Sequence, residues 1–213
     1  MTQSFSGEGL LKIVFLGAGG HASDLLGVFE ASGRADEVIG LCDDGDANEA
    51  RFRGKPILGT TDSQTEATHF MAAVGWPAGR RAIAAKTDLL PVTIVHPQAE
   101  VPDTVKVGEG SAIFANTSIS PNARIGRHVY VAQGSSVGHD TVLGDYTSLM
   151  PCAVVSGDCM IGEGVTIGTN ATVIEGLSVG DGATIGAGAV VVKDVAAGET
   201  VIGNPAKPLH KKS

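Results

Sequence analysis

A chain of 213 residues is long enough for one large domain or two small ones, and its formal charge of −8 argues against a nucleic-acid-binding surface. Thirty glycines beside only 4% aromatic residues point to a core not built on Phe, Tyr and Trp; with no G-X-Y period, that means a solenoid rather than collagen. Three cysteines without a CxxC spacing, no basic-then-apolar leader and no run of about 18 apolar residues lead to the expectation of a cytoplasmic protein with no membrane insertion.

Residues 1–9 are polar and expected to be disordered. The apolar run from Leu11 to Leu16 reads as a strand. Gly17-Ala18-Gly19-Gly20-His21-Ala22 then leads into a helical pattern through Ser23 to Ala31. Strand, Gly-rich turn and helix in that order are the context a phosphate-binding βα turn requires. Backbone N–H groups from Gly17 to His21, chiefly those of Gly19, Gly20 and His21, are the candidates for a phosphate. A second strand, Glu37–Leu41, ends at Asp43 and Asp44, which stand where a ribose or base would be met. An apolar run over Phe70–Val74, a helix over Ala78–Asp88 and a returning strand over Val92–Val95 complete a half-Rossmann unit, residues 1–94. It is too short for a full dinucleotide fold, and the alternative is a turn that only packs a helix onto a strand.

From Val95 to Val191 every sixth residue is Val, Ile or Leu, seventeen in all. A helix of 3.6 residues per turn would smear such a stripe around its axis. Short strands joined by tight turns, three to a coil of eighteen residues, keep every aliphatic residue pointing inward on a triangular prism. The small residue four places later, Ala123 or Thr141 for example, fits the corner, and the frequent Gly just after the aliphatic residue is assigned to the turn backbone. With coils about 4.8 Å apart, between five and six of them make a prism about 27 Å tall. Residues 95–213 are thus read as a parallel β-helix with a C-terminal cap at Gly203-Asn204-Pro205-Ala206-Lys207. Within it, His139 in Val137-Gly138-His139-Asp140 should lie at a prism edge, a candidate acid–base group with Asp140 to orient it. His128 is read as a turn residue, and Cys152 and Cys159 as small apolar fillers rather than nucleophiles. No metal constellation is seen in the spacing, neither paired His at i, i+4 nor a Cys/His cluster.

The hexad run, the Gly-Gly-His turn, the Asp pair and the Gly-Asn-Pro-Ala-Lys closure together resemble the sialic-acid O-acetyltransferase and nucleotide-amino-sugar N-acetyltransferase family of hexapeptide-repeat acyltransferases. The resemblance spans residues 11–208. It implies a left-handed parallel β-helix, a homotrimer, and acetyl-CoA as donor. The implied acceptor is a nucleotide-linked 4-amino-4,6-dideoxy sugar used in bacterial surface polysaccharide, with a GDP-linked perosamine expected first and a UDP-linked 4-amino sugar next. Sialic acid O-acetylation and a non-catalytic sugar-nucleotide-binding assembly module are the other readings. Matching positions imply that His139 and Asp140 are catalytic, and that Ser148, Gly157, Gly168, Thr169, Gly186, Ala187, Pro205 and Lys207 bind acetyl-CoA. Departures are Asp140, where many relatives carry Glu, and Ser148, where some carry a second His; the chain also lacks the inserted loop that shapes many family sites.

Overall fold

The computed structural model describes residues 10–45, 51–63 and 65–209. The expectation for residues 1–9 lies outside them.

The N-terminal unit contains β1 (Ile13–Leu16), α1 (Gly20–Ala31), β2 (Val38–Cys42), β3 (Arg51–Phe52), β4 (Lys55–Gly59), β5 (His69–Ala72), α2 (Pro77–Ala84) and β6 (Leu90–Pro91). Its sheet order is β3-β4-β2-β1-β5-β6, parallel except for the β3–β4 hairpin at one edge. β1 is buried along its whole length, as expected of a parallel strand covered on both faces. Ile13 and Phe15 pack with Leu25, Leu26 and Phe29 of α1, while Val14 and Leu16 pack with Phe70, Ala72 and, beyond them, Ile83 of α2. α2 ends four residues before the sequence pattern suggested, its last turn closing on Ala85. The β3–β4 hairpin was absent from the sequence reading. Its residues Arg51-Phe52 and Lys55-Pro56-Ile57-Leu58-Gly59 are short and mixed in polarity, so no period marks them.

The remaining chain coils into a triangular prism. β7 (Ile94–Val95) starts an eight-stranded face, and two five-stranded faces follow from Ser118–Ile119 and Lys106–Val107. Each two-residue strand pairs in parallel with the strand eighteen residues later, as Ser136–Val137 does with Val154–Val155. The aliphatic residues from Ile113 to Val191 are all at most 4% exposed and form one continuous column. Val95 is a correction: it lies below Ile113 at the open end of the prism and is 36% exposed, while Ile94 turns into the N-terminal core. The small corner residues are buried as expected, and their hydroxyls are satisfied: Thr141 Oγ1 donates to Ser156 O at 2.7 Å and Thr147 Oγ1 to Gly162 O at 2.8 Å.

The role assigned to the repeat glycines also needs correction. The left-handed backbone of each turn falls three residues after the aliphatic one, held by Asn122, His128, Asp140, Tyr146, Cys152 and Asp158 in some turns and by glycine, as at Gly134 and Gly164, in others. The glycines just after the aliphatic positions serve close coil stacking instead. A Cβ on Gly138 would meet Gly157 N at 2.3 Å, and one on Gly168 would meet Ala187 N at 2.6 Å. Cys152 is a second correction, an exposed turn residue rather than a buried filler; Cys159 is the buried corner residue expected.

The N-terminal unit sits on the eight-stranded face. Ala112, Phe114 and Tyr130 of that face join the α1 core, and the Tyr130 hydroxyl donates to Ala72 O. Arg80 of α2 crosses the same joint with 0% exposure. Its guanidinium donates to Val74 O and Gly75 O on its own side and to His128 O, Tyr146 O, Thr147 O and Ser148 Oγ on the prism.

Candidate functional site

The strand order places a topological switch point between β1 and β5, the position at which open α/β sheets bind ligands beyond their strand ends. The loop 17–20 fills one side of it. Gly17 sits at φ +114°, and a Cβ there would strike Ala73 O at 2.9 Å, so only glycine fits this turn. At Gly19 and Gly20 a Cβ would meet nothing within 4 Å; their backbone borders open space. α1 begins at Gly20 with no side-chain cap and no acidic residue in its first turn, which leaves its leading N–H groups and positive dipole end uncompensated. Asp43 and Asp44 lie beside this loop, but their carboxylates are already engaged. Asp43 accepts from Ala18 N at 2.6 Å and Gly45 N at 2.8 Å. Asp44 accepts from Thr61 N at 2.8 Å and Thr61 Oγ1, which hold its carboxyl below the usual carboxylate range. The pair therefore shapes the loop, and either carboxylate would meet a ligand only with its remaining lone pairs.

His21 turns away from the loop and stacks on Tyr130 at 4.2 Å between ring centroids. Its Nε2 is buried without a hydrogen-bond partner among the described residues, and burial, aided by the nearby Arg80 charge, lowers its pKa to about 4. The ring is neutral at pH 7. With Gly75, Phe114, Gln133, Ser148 and Met150 it lines a cavity of about 100 Å³ between the N-terminal unit and the prism.

His139 stands on the corner that follows the Ser136–Val137 strand, exposed as expected. Asp140 accepts its Nδ1–H at 3.0 Å, which leaves Nε2 as the proton acceptor. That hydrogen bond raises the imidazole pKa, and the charges of Asp158, Asp140 and Glu175 add to the effect. Asp140 is itself held by Asn122 Nδ2 at 3.1 Å. Asn122, Asp140 and Asp158 occupy one corner position in three successive coils, so a period of eighteen, applied to the polar turn residues, would have found the two that sequence reasoning missed. Asp158 lies 3.9 Å from His139 Nδ1, and the three acidic and imidazole ligating atoms of His139, Asp140 and Asp158 lie within 4.8 Å of one another on the surface.

Gly157 lies one coil above His139. A Cβ on Gly157 would meet His139 Nε2 at 2.6 Å, so glycine is the seat of the ring. At the neighbouring corner, Asp145 and Asp181 cap the N–H groups of Arg127 and Glu163, both at 2.7 Å. Gly157 has no such cap, and its N–H has no acceptor among the described residues. A neutral imidazole nitrogen beside an unengaged N–H is an arrangement that takes a proton and stabilises a nearby oxyanion.

The other donor-side positions are elsewhere. Gly168 and Thr169, then Gly186 and Ala187, stack in successive coils on the preceding corner, one prism face away from His139. Thr169 and Ala187 are exposed there, as are Pro205 and Lys207 in the closing turn, where Ala206 N donates to Val190 O at 2.7 Å. Ser148 stands apart from them. It is 1% exposed under the N-terminal unit, bonded to Arg80 and Gly75, so it does not join the exposed corner assigned to the donor. His128 is also more than a turn residue: it is 2% exposed, stacked on Tyr146 at 5.0 Å, and lowered by burial to about pKa 4. One chain thus brings His139, Asp140 and Gly157 together, and separately gathers Gly17–His21 with Asp43. It does not bring His139 to the Gly168–Ala187 corner, whereas His21 lines its cavity together with Met150 and Pro151 of that corner, one coil below Gly168 and Thr169.

Residues 12–87 match the PglD N-terminal domain, and residues 140–175 and 158–193 match the bacterial transferase hexapeptide family of six repeats. The acetyltransferase domain of PglB from Neisseria gonorrhoeae, solved with acetyl coenzyme A, is 35% identical over 94% of this chain and 100% of that one, with a TM-score of 0.87. This chain belongs to the hexapeptide-repeat sugar N-acetyltransferases. A mutant of perosamine N-acetyltransferase from Caulobacter crescentus, with asparagine in place of one histidine and solved with CoA and GDP-perosamine, is 29% identical over 95% of this chain and 99% of that one, at a TM-score of 0.89. The GDP-perosamine N-acetyltransferase of Escherichia coli O157:H7 is 40% identical over 63 residues, a match that spans 30% of this chain and 28% of that relative. The prism of this N-acetyltransferase is accordingly the left-handed β-helix of its family. No helix among the described residues is long and apolar enough to cross a membrane.

Proposed function

We propose that this N-acetyltransferase moves an acetyl group from acetyl-CoA to the 4-amino group of a nucleotide-linked 4-amino-4,6-dideoxy sugar, GDP-perosamine being the acceptor we favour. The observation that carries the chemistry is the His139 ring, held by Asp140 and seated over Gly157 beside an unengaged N–H. An amine free of its proton attacks the thioester carbonyl. The tetrahedral oxyanion takes the Gly157 N–H, and His139 Nε2 accepts the proton that the adduct must shed as CoA sulfur leaves. No covalent enzyme intermediate is required, in keeping with Cys159 being buried and its thiol pKa raised by that burial. The loop Gly17–His21 with Asp43 is the proposed seat of the nucleotide, and the Gly168–Ala187 corner with Pro205 and Lys207 that of CoA. The Gly168–Ala187 corner stands one prism face from His139 in one chain, which supports a homotrimer whose clefts unite the corner of one protomer with His139 of the next. The GDP assignment draws on the two perosamine N-acetyltransferases among the relatives.

The test is a thermal-shift panel with GDP, UDP and CMP, followed by CoA release with the matching amino sugars. Stabilisation by GDP and turnover of the GDP-linked sugar are expected. A shift with UDP alone moves the acceptor to a UDP-linked 4-amino sugar, and turnover of a sugar hydroxyl overturns N-acetylation. Light scattering should give a trimer; a monomer at working concentration contradicts the shared cleft.

A further inference from the structure

We propose that Arg80 supplies the positive charge that holds the diphosphate of the bound sugar nucleotide at the switch point, acting through the wall of the interdomain cavity rather than by contact. The proposal rests on the sugar-nucleotide reading above. Arg80 is fully buried, yet all six of its acceptors are carbonyls or a hydroxyl, and no carboxylate is among them. A buried cation without a counter-ion is costly to maintain. Its donors are met by neutral acceptors and its face by the Tyr130 ring, so the positive charge itself stays available to an anion nearby.

Position says where that anion lies. Gly75 O accepts from Nη1 at 2.7 Å, Ser148 Oγ accepts from Nη2 at 2.9 Å, and the Tyr130 ring lies 4.1 Å beneath the guanidinium carbon. Gly75, Ser148 and Tyr130 also line the cavity of about 100 Å³ that His21 borders, so the charge is one layer behind its wall. His21, in the first turn of α1, reaches this cavity, and the α1 N-terminus is uncapped and without an acidic residue in its first turn. Dipole and guanidinium therefore add in one place. His21 contributes no charge there, because burial and Arg80 keep it neutral. Asp24 is the carboxylate at the cavity, exposed and screened by solvent; Asp43, beside the Gly-rich loop, already accepts from Ala18 N and Gly45 N. The ligand that fits is a diphosphate along Gly19–His21, with its sugar directed away from the N-terminal sheet.

Calorimetric titration of the full chain with guanosine, GMP and GDP, and with the uridine series in parallel, tests this. In the wild type, affinity should climb with phosphate charge in at least one series. Arg80→Met should weaken the diphosphate about tenfold, the monophosphate less, and the nucleoside by no more than about twofold, the size of effect a buried charge has across a partly polar layer. Ser148→Asp keeps the arginine and its packing but places a carboxylate beside Nη2, and should reproduce the same graded loss should Arg80→Met fail to fold. Arg80→Lys, which keeps the charge, should retain the wild-type ratio of diphosphate to nucleoside affinity even if it melts earlier. Equal loss across a series in the Met and Asp variants, or no loss, overturns the proposal and leaves Arg80 a structural bridge. A wild type that binds neither nucleoside diphosphate removes the sugar-nucleotide reading itself, and this inference with it.

Discussion

Two glycines of one corner, changed to alanine, should fail in opposite ways. On Gly157 the new methyl would stand 2.6 Å from His139 Nε2 and 2.7 Å from its Cε1, but the ring is the end of an exposed side chain and can swing away. Ordinary contact begins near 3.4 Å, so the imidazole must retreat by roughly 1 Å, a displacement that can cost about 100-fold in rate. Gly157→Ala is therefore expected to lower kcat about 10- to 100-fold while stability changes by less than about 0.5 kcal/mol. On Gly138 the methyl would stand 2.3 Å from Gly157 N and 2.4 Å from Ser156 C, backbone against backbone, with no side chain to yield. Two coils must separate, and about 1–3 kcal/mol of stability should be lost. Steady-state kinetics and urea unfolding on both variants make the comparison. Adding His139→Asn to Gly157→Ala should cost little more, because both remove the same imidazole position. A Gly157→Ala protein with wild-type kcat, or one destabilised as much as Gly138→Ala, refutes the seat.

Three further outcomes follow from the site. His139→Asn should lower kcat by roughly 10- to 100-fold, at or below the low end for acid–base catalysis, because an amine can lose its proton to solvent. The raised His139 pKa puts the acid limb of wild-type activity above the ordinary histidine value, with activity lost as pH falls through it; the variant should lose that limb and gain rate with pH as amine is freed, and a folded variant dead at every pH contradicts this. Asp43→Ala, which releases Ala18 N and Gly45 N from their acceptor, should raise the KM for sugar nucleotide more than that for acetyl-CoA; equal effects would remove the loop from the acceptor side. His21 and His128 both bind protons at pH about 4 when folded against the ordinary 6.5, so the unfolded chain takes up protons first and stability falls as pH drops from about 6.5 to 4, by about 2–3 kcal/mol for each residue. His128→Asn, which keeps a residue suited to φ +53°, should make denaturant midpoints less acid-sensitive over that window; an unchanged slope refutes the assignment.

The prism was legible because its determinant is a strict period: each aliphatic residue from Ile113 to Val191 had only one face to occupy. The same period told less about the turns. Glycine at the position after the aliphatic residue suggested turn freedom, whereas the left-handed residue stands two places further on, Asp140 in one turn and Gly134 in another, and the glycine after the aliphatic residue answers to the coil above. His139 and Asp140 could be read as neighbours in sequence; Asn122 and Asp158 could not without folding the chain into coils of eighteen. Arg80 had no signal at all. An arginine in a short amphipathic helix ordinarily faces water, as its neighbour Arg81 does, and only the joint between the N-terminal unit and the prism buries Arg80. That joint also sets the place of Ser148, assigned to the donor by its match to a family histidine: on this face outward means under the N-terminal unit.

The central claim is the reaction itself. Purified protein given acetyl-CoA and GDP-perosamine should release CoA and yield a GDP-sugar that has gained one acetyl group on nitrogen, read by mass spectrometry and by resistance of the product to mild alkali. A product acetylated on oxygen, or no product from either GDP- or UDP-linked 4-amino sugars while both ligands still bind, would contradict it.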